Sequence, residues 1–163
     1  MCSSDLDLQP AASLRTLPAP LQLPAGTSLP FALVRVVGTR ALISGHGPTL
    51  PDGRLAGPFG KVGADVSEAE AVAAARLTTL AMLGSLQRQL GSLARIRAWT
   101  KVLGLVASSP DFHRQPVVLN GCSDLLLQIF GPEVGAHARS AIGVAVLPFN
   151  LSVEIEAEVE LHP

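Results

Sequence analysis

The chain has 163 residues, with 12 Lys+Arg against 13 Asp+Glu, 48% hydrophobic residues and two cysteines, at a mean hydropathy of +0.40. That length suits one domain burying roughly 70% of its unfolded surface, and an apolar, charge-balanced composition excludes an intrinsically disordered chain. A net charge of −1 removes the electrostatic basis for duplex nucleic acid as main partner, and the sparse cysteines point to a reducing cytoplasm rather than a secreted disulfide framework.

Residues 1–28 read as an extended N-terminal arm, and 29–163 as the folded domain. Cys2-Ser3-Ser4-Asp5-Leu6 matches one translated frame of a sequencing-adapter end, so residues 1–6 are set aside. Asp5 and Asp7 stand where a signal peptide carries positive charge. The longest uncharged run, Thr16 to Val34, holds Pro18, Pro20, Pro24 and Pro30; its prolines break helical continuity, so it is a loosely tethered arm and not a membrane span.

Phe31 to Val37 and Thr39 to Ser44, split by Gly38, read as a hairpin. Pro48 to Gly63 is a long loop with the turn signal Asp52-Gly53 and a short strand near 61–64. Ser67 and Glu70 spell a capping box. The helix it opens carries Val72, Ala73, Leu77, Leu80, Leu83 and Leu90 on one arc and ends at Gly91. Arg95 to Val106 is a strand. A second helix opens near Pro116, buries Val118, Cys122, Leu125, Leu126 and Ile129, and stops at Gly131-Pro132. Ala138 to Leu147 and Leu151 to Leu161 are expected to form a closing hairpin around residues 147–150. Two single-stripe helices need one sheet face to cover, which makes an α+β layer with both helices on one side.

In the last strand Val153, Ile155, Ala157, Val159 and Leu161 point one way, while Glu154, Glu156, Glu158 and Glu160 point the other. In the strand before it, Ile142, Val144 and Val146 form the bulky face; Arg139, Ala141, Gly143 and Ala145 form the small one. A hairpin would place Gly143 opposite Glu154, with Arg139 and Glu154 on the face away from the helices. The small residues there admit either a neighbouring subunit or a ligand whose carboxylate Arg139 grips through a two-pronged bond. That register leaves Arg139 and Glu154 roughly 13 Å apart along the sheet. They converge on one ligand only by side-chain reach or across a subunit boundary.

Other candidates are weaker. Arg95, Arg97, Trp99 and Lys101 form a basic stripe that can bind single-stranded nucleic acid, but cross-strand pairing with the glutamate row accounts for it better. His46, His113, His137 and His162 are scattered without metal-site spacing, and Cys122 sits in an apolar stripe.

His137-Ala-Arg139-Ser-Ala-Ile-Gly-Val-Ala-Val-Leu-Pro148 followed by Val153-Glu-Ile-Glu-Ala157 resembles the C-terminal signature of the RidA/YjgF family. That family is also labelled endoribonuclease L-PSP or translation initiation inhibitor. Leu42-Ile-Ser-Gly45, Gly60-Lys-Val-Gly-Ala-Asp65 and Gln115-Pro-Val-Val-Leu-Asn-Gly121 extend the resemblance over about residues 29–161, and point to a bacterial branch distinct from RidA itself. The resemblance implies a chorismate-mutase-like fold with a single mixed sheet, assembled as a homotrimer with ligand sites in the clefts between subunits. It implies hydrolysis of enamine/imine intermediates to 2-oxo acids and ammonia, with no metal or organic cofactor. Arg139 would bind the substrate carboxylate and Glu154 would act on water. Gly45 and Asn120 would line the pocket, with Phe31 in place of a family tyrosine, Ala141 in place of a frequent cysteine, and His46 at the pocket mouth where glutamine is usual. A non-catalytic trimer that binds 2-oxo acids, and a ribonuclease, are the alternatives.

Overall fold

A computed structural model describes residues 17–163. The elements run β1 (Val34–Val37), β2 (Arg40–His46), α1 (Glu68–Leu90), β3 (Ile96–Ala107), α2 (Gln115–Val134), β4 (Ala138–Val144) and β5 (Val153–Leu161). One mixed sheet has the order β1-β2-β5-β3-β4, and both helices pack on one of its faces, as the apolar stripes require. Arg95 belongs to a short 3-10 turn before β3. The strand expected near 61–64 is reduced to isolated bridges from Val62 to Val66 and Ser108.

Both halves of the Ser67/Glu70 capping box are present, and Gly91 closes α1 in the left-handed conformation. The buried face of α1 is rotated from the expected arc. Ala71, Ala74, Ala75, Thr78 and Met82 are buried, whereas Ala73 is exposed and Val72 and Leu77 are only half-buried. Small side chains win that face because α2 crosses closely: a Cβ on Gly121 would run into the Val72 carbonyl. In α2 the expected stripe is buried throughout. Its backbone leaves helical geometry at Gly131, with φ 76° and ψ 175°, before a last turn.

The expected closing hairpin does not form. β4 pairs in parallel with β3, with α2 as the crossover that a parallel neighbour demands. β5 lies antiparallel between β2 and β3, because its Val153–Leu161 row is the most fully apolar and belongs at the sheet centre. Between the strands, Phe149 and Asn150 take positive φ values of 58° and 56° and turn the chain away from β4.

This topology also reverses a face. In β4 the small side makes the helix contact: Ala141 packs against the core, and a Cβ on Gly143 would meet the Gln115 side chain of α2. Ile142 is left 48% exposed, and Val146 beyond the strand 72%. Arg139 therefore lies on the helix side and Glu154 on the open side.

Two register shifts in β3, at Ile96/Ala98 and Trp99/Lys101, break the basic stripe. A bulge moves the next side chain to the other face, so Trp99 turns inward and stacks at a tilt on Phe130 with centroids 5.6 Å apart. Arg97 pairs with Glu160 at 2.9 Å. Lys101 is opposite Glu158 in register but donates to Ser140 Oγ at 3.0 Å.

The described part of the arm is tied down. Ala19 N–H donates to the Pro51 carbonyl and Gln22 N–H to that of Gly53. Gly53 has φ +88°, and a Cβ there would strike the Pro20 carbonyl, so the Asp52-Gly53 turn is also the seat for the arm. Among the described residues, no helix is long and apolar enough to cross a membrane.

Candidate functional site

Arg139 rises from edge strand β4 beside the start of α2. Its Nη1 donates to Asn120 Oδ1 at 2.9 Å and to Ser123 Oγ at 3.0 Å, and Nη2 donates to the Pro116 carbonyl at 3.3 Å. All three acceptors are neutral, and no carboxylate pairs with Arg139 among the described residues. A guanidinium has five N–H donors, so Nε–H and one Nη2–H remain, the side-on fork that matches a carboxylate.

His137 holds this arrangement from behind. The Gly135 carbonyl lies 2.7 Å from Nδ1 and can only accept, so Nδ1 carries the proton. In the neutral ring Nε2 then accepts from Ser123 Oγ–H at 2.9 Å, leaving the serine oxygen to accept from Arg139. Leu127, Ser123, His137 and Arg139 line a shallow concavity open to solvent.

Glu154 belongs to a second group at the far end of β2 and β5. Its carboxyl rests on Gly45, where an added Cβ would run into Oε1. Burial pushes its pKa up, and the negative charge of Glu156 adds to the shift. A cavity of about 220 Å³ opens beside it, lined by Phe31, Gly45, His46, Glu154 and part of the arm.

His46 was expected at the pocket mouth; it lies inside instead, 9% exposed. A register shift between Ile43 and His46 rotates it toward α1. Its Nδ1 donates to the Ser44 carbonyl at 2.6 Å, and Nε2 accepts from Ser85 Oγ at 2.8 Å. Arg88 donates to Ser85 Oγ at 3.3 Å and to the Pro18 carbonyl at 2.9 Å. Burial lowers the His46 pKa; the Ser44 bond opposes that shift and the Arg88 charge adds to it. The ring is neutral at pH 7.

The structure thus brings Arg139 together with Asn120, and Glu154 with Gly45, His46 and Phe31. Within one chain Arg139 lies on the helix face of the sheet and the Glu154 carboxyl, over Gly45, on the open face. Ala141 packs into the core behind Arg139. Cys122 is fully buried, and burial drives its thiol up to about 11, which keeps it un-ionised at neutral pH. Among the described residues, no three His, Cys, Asp or Glu side chains gather as a metal site.

Sequence reasoning missed Ser123, His137, Ser85 and Arg88. The His137-Ala-Arg139 spacing carries one signal, since alternate strand residues share a face. Ser85 and Arg88, three apart on a helix, carry the other.

A model of the family described as "YjgF/chorismate mutase-like, putative endoribonuclease" matches residues 14–159, so the chain belongs to that family. It is 40% identical over 153 residues to Protein TCP17 of Trypanosoma cruzi, covering 93% of this chain and 94% of that one. It is similar to the solved protein Atu1372 of Agrobacterium tumefaciens at 39% identity and a TM-score of 0.78, covering 91% and 89% of the two chains. A Shewanella oneidensis protein of the same endoribonuclease description matches at 33% identity and a TM-score of 0.78, covering 89% and 91%. Solved structures 18–23% identical share the fold, at TM-scores of 0.56–0.59.

Proposed function

We propose that the chain hydrolyses reactive enamine/imine intermediates to 2-oxo acids and ammonia, without a cofactor, at clefts between the subunits of a homotrimer. The observation that carries this reading is the Arg139 fork, held by three neutral acceptors with two N–H donors unused. Arg139 and Glu154 meet one ligand only if the ligand bridges two chains. The exposed Leu42, Ile142, Val146 and Phe149 are the apolar surface that such an assembly would cover.

In this mechanism Arg139 holds the substrate carboxylate and so fixes the imine carbon. Ionised Glu154 takes a proton from water as the oxygen attacks that carbon, forming a carbinolamine. That proton passes to nitrogen to give the neutral carbinolamine. Glu154 then takes the hydroxyl proton as the C=O bond forms and gives it to nitrogen as the C–N bond breaks, so ammonia and the 2-oxo acid leave. Its raised pKa makes Glu154 a stronger base than an ordinary carboxylate.

The test is to generate 2-aminoacrylate with a serine dehydratase and follow pyruvate release. Acceleration should vanish in Arg139→Ala while the oligomer persists. Gly45→Ala should lower the rate about 100-fold, the scale of a displaced acid/base group, because the new methyl dislodges the Glu154 carboxyl. The acid limb of the rate profile should sit above the usual carboxylate range and disappear in Glu154→Gln.

A binding protein for 2-oxo acids is the second reading, favoured by Phe31, which offers no hydroxyl to the site. Binding without acceleration would establish it. RNA cleavage lost in Arg97→Ala with Lys101→Ala would instead establish a ribonuclease.

A further inference from the structure

The cavity beside Glu154 is large, apolar and roofed by the arm. Leu21, Leu23, Leu29 and Phe31 line it from one side, Leu55 and Leu151 from another, and Ala81 of α1 forms part of its floor. Four independent bonds fix the roof: Ala19 to Pro51, Gln22 N–H to Gly53, Gln22 Nε2 to the Asp52 carbonyl, and Arg88 to Pro18. The arm is therefore part of the wall and not a passing strand.

Its volume of about 220 Å³ exceeds the ~150 Å³ of an engineered apolar cavity that takes up benzene. The methyl of a pyruvate-sized ligand would leave most of this space empty. Of the polar groups at its margin, His46 is neutral and bonded at both nitrogens and Arg88 is turned to Pro18 and Ser85, while Thr49 Oγ1 is buried without a partner and Glu154 is the group proposed to act on water. Glu154 and Gly45 lie on the same wall, so an occupant here sits next to the group proposed to act on water.

We infer that this arm-roofed cavity binds an apolar group of about four to seven carbons, the side chain of the substrate. The preferred ligands are then 2-imino and 2-oxo acids with isobutyl- to benzyl-sized side chains. The inference rests on the carboxylate reading of the site and adds a side-chain specificity to it. Burial of each additional methylene changes affinity by about fourfold. The three extra carbons of 4-methyl-2-oxopentanoate set a ceiling of roughly 60-fold over pyruvate.

The experiment has two arms on the full-length protein. In the first, 4-methylpentan-2-one, a neutral probe with the side chain and no carboxylate, is titrated while leucine methyl NMR signals are followed. Shifts confined to Leu21, Leu23, Leu29, Leu33, Leu55 and Leu151, the leucines that line the cavity, support an apolar site; their absence overturns it. In the second, pyruvate and 4-methyl-2-oxopentanoate are compared by calorimetry. At least a tenfold preference for the larger acid is expected, and Ala81→Met, which fills the floor, should bring the ratio toward one. Leu29→Ala, which enlarges the space, should shift preference toward phenylpyruvate and guards against misfolding of the filled variant. Equal or tighter binding of pyruvate overturns the inference and leaves the carboxylate site standing. Ketone binding with no 2-oxo acid binding overturns the carboxylate reading and leaves the apolar cavity standing.

Discussion

The protein builds the same chain of residue types twice on the helix face of the sheet, His137–Ser123–Arg139 against α2 and His46–Ser85–Arg88 against α1. In each, a histidine proton is fixed by a backbone carbonyl two residues away, and a serine links the ring to a guanidinium. The difference lies in where the guanidinium ends. Arg139 takes all its acceptors from α2, its immediate neighbour, and keeps two donors free. Arg88 reaches 70 positions back to Pro18 and anchors the arm. One network presents a charge to a ligand; the other closes a wall. Identical side-chain chemistry thus gains its role from whether the cation ends in local or distant backbone.

Substituting the two arginines should separate these roles most strongly. Arg139→Lys keeps the charge but loses the planar fork, and at about 3 kcal/mol for two charge-assisted bonds should lower kcat/KM at least 100-fold. Arg88→Ala should instead show in the arm, with amide exchange at Ala19 and Gln22 about tenfold faster, the scale of one lost hydrogen bond. If Arg139→Lys retained full turnover, the fork would have no part in binding. The two serines should divide in a similar way at smaller size. Ser123→Ala removes one partner of a half-exposed cation and should raise KM about five- to tenfold. Ser85→Ala leaves the buried Nε2 of His46 unpaired, at about 1–3 kcal/mol of stability, or a thermal midpoint lowered by roughly 3–10 °C.

The fold could be read from the sequence wherever a signal was local and periodic. The capping box, the α2 stripe and the alternation of β5 each occupy the place expected of them. What failed was pairing. The last two strands look like a hairpin because a short Pro148-Phe149-Asn150 segment joins them, and nothing local reveals that β3 enters between them. From that error followed the wrong face for Arg139. Trp99 and His46 were misplaced for a related reason: each follows a register shift, and an extra residue in a strand inverts every later side chain without leaving a compositional mark. Arg139 and Glu154 stood out from strand alternation beside small residues, and Gly45 and Asn120 from family resemblance; the fold sets Arg139 against Asn120 and Glu154 against Gly45. The arm's contribution was not legible, since four prolines show that it is extended but not where it lies.

The smallest effect concerns pH and sharpens the same contrast. Burial lowers the pKa of His46 in the folded state, while the unfolded chain titrates at about 6.5. Below that value the unfolded state takes up a proton that the folded state refuses, so His46 makes stability fall as pH falls, by at most about 1.4 kcal/mol per unit. The loss ends once pH passes the folded pKa. Glu154, in the same cavity, acts in the opposite direction: its folded pKa is raised, so it adds stability as pH falls through that value toward the ordinary carboxylate range. Comparing the protein with His46→Gln cancels the Glu154 contribution, which both share. Urea denaturation between pH 7 and 5 should then show a shallower decline in the glutamine variant. Parallel curves would mean that the His46 ring accepts its proton in the folded state, which would require Ser85 to turn its hydroxyl away and would undo the neutral His–Ser–Arg chain on which the comparison depends.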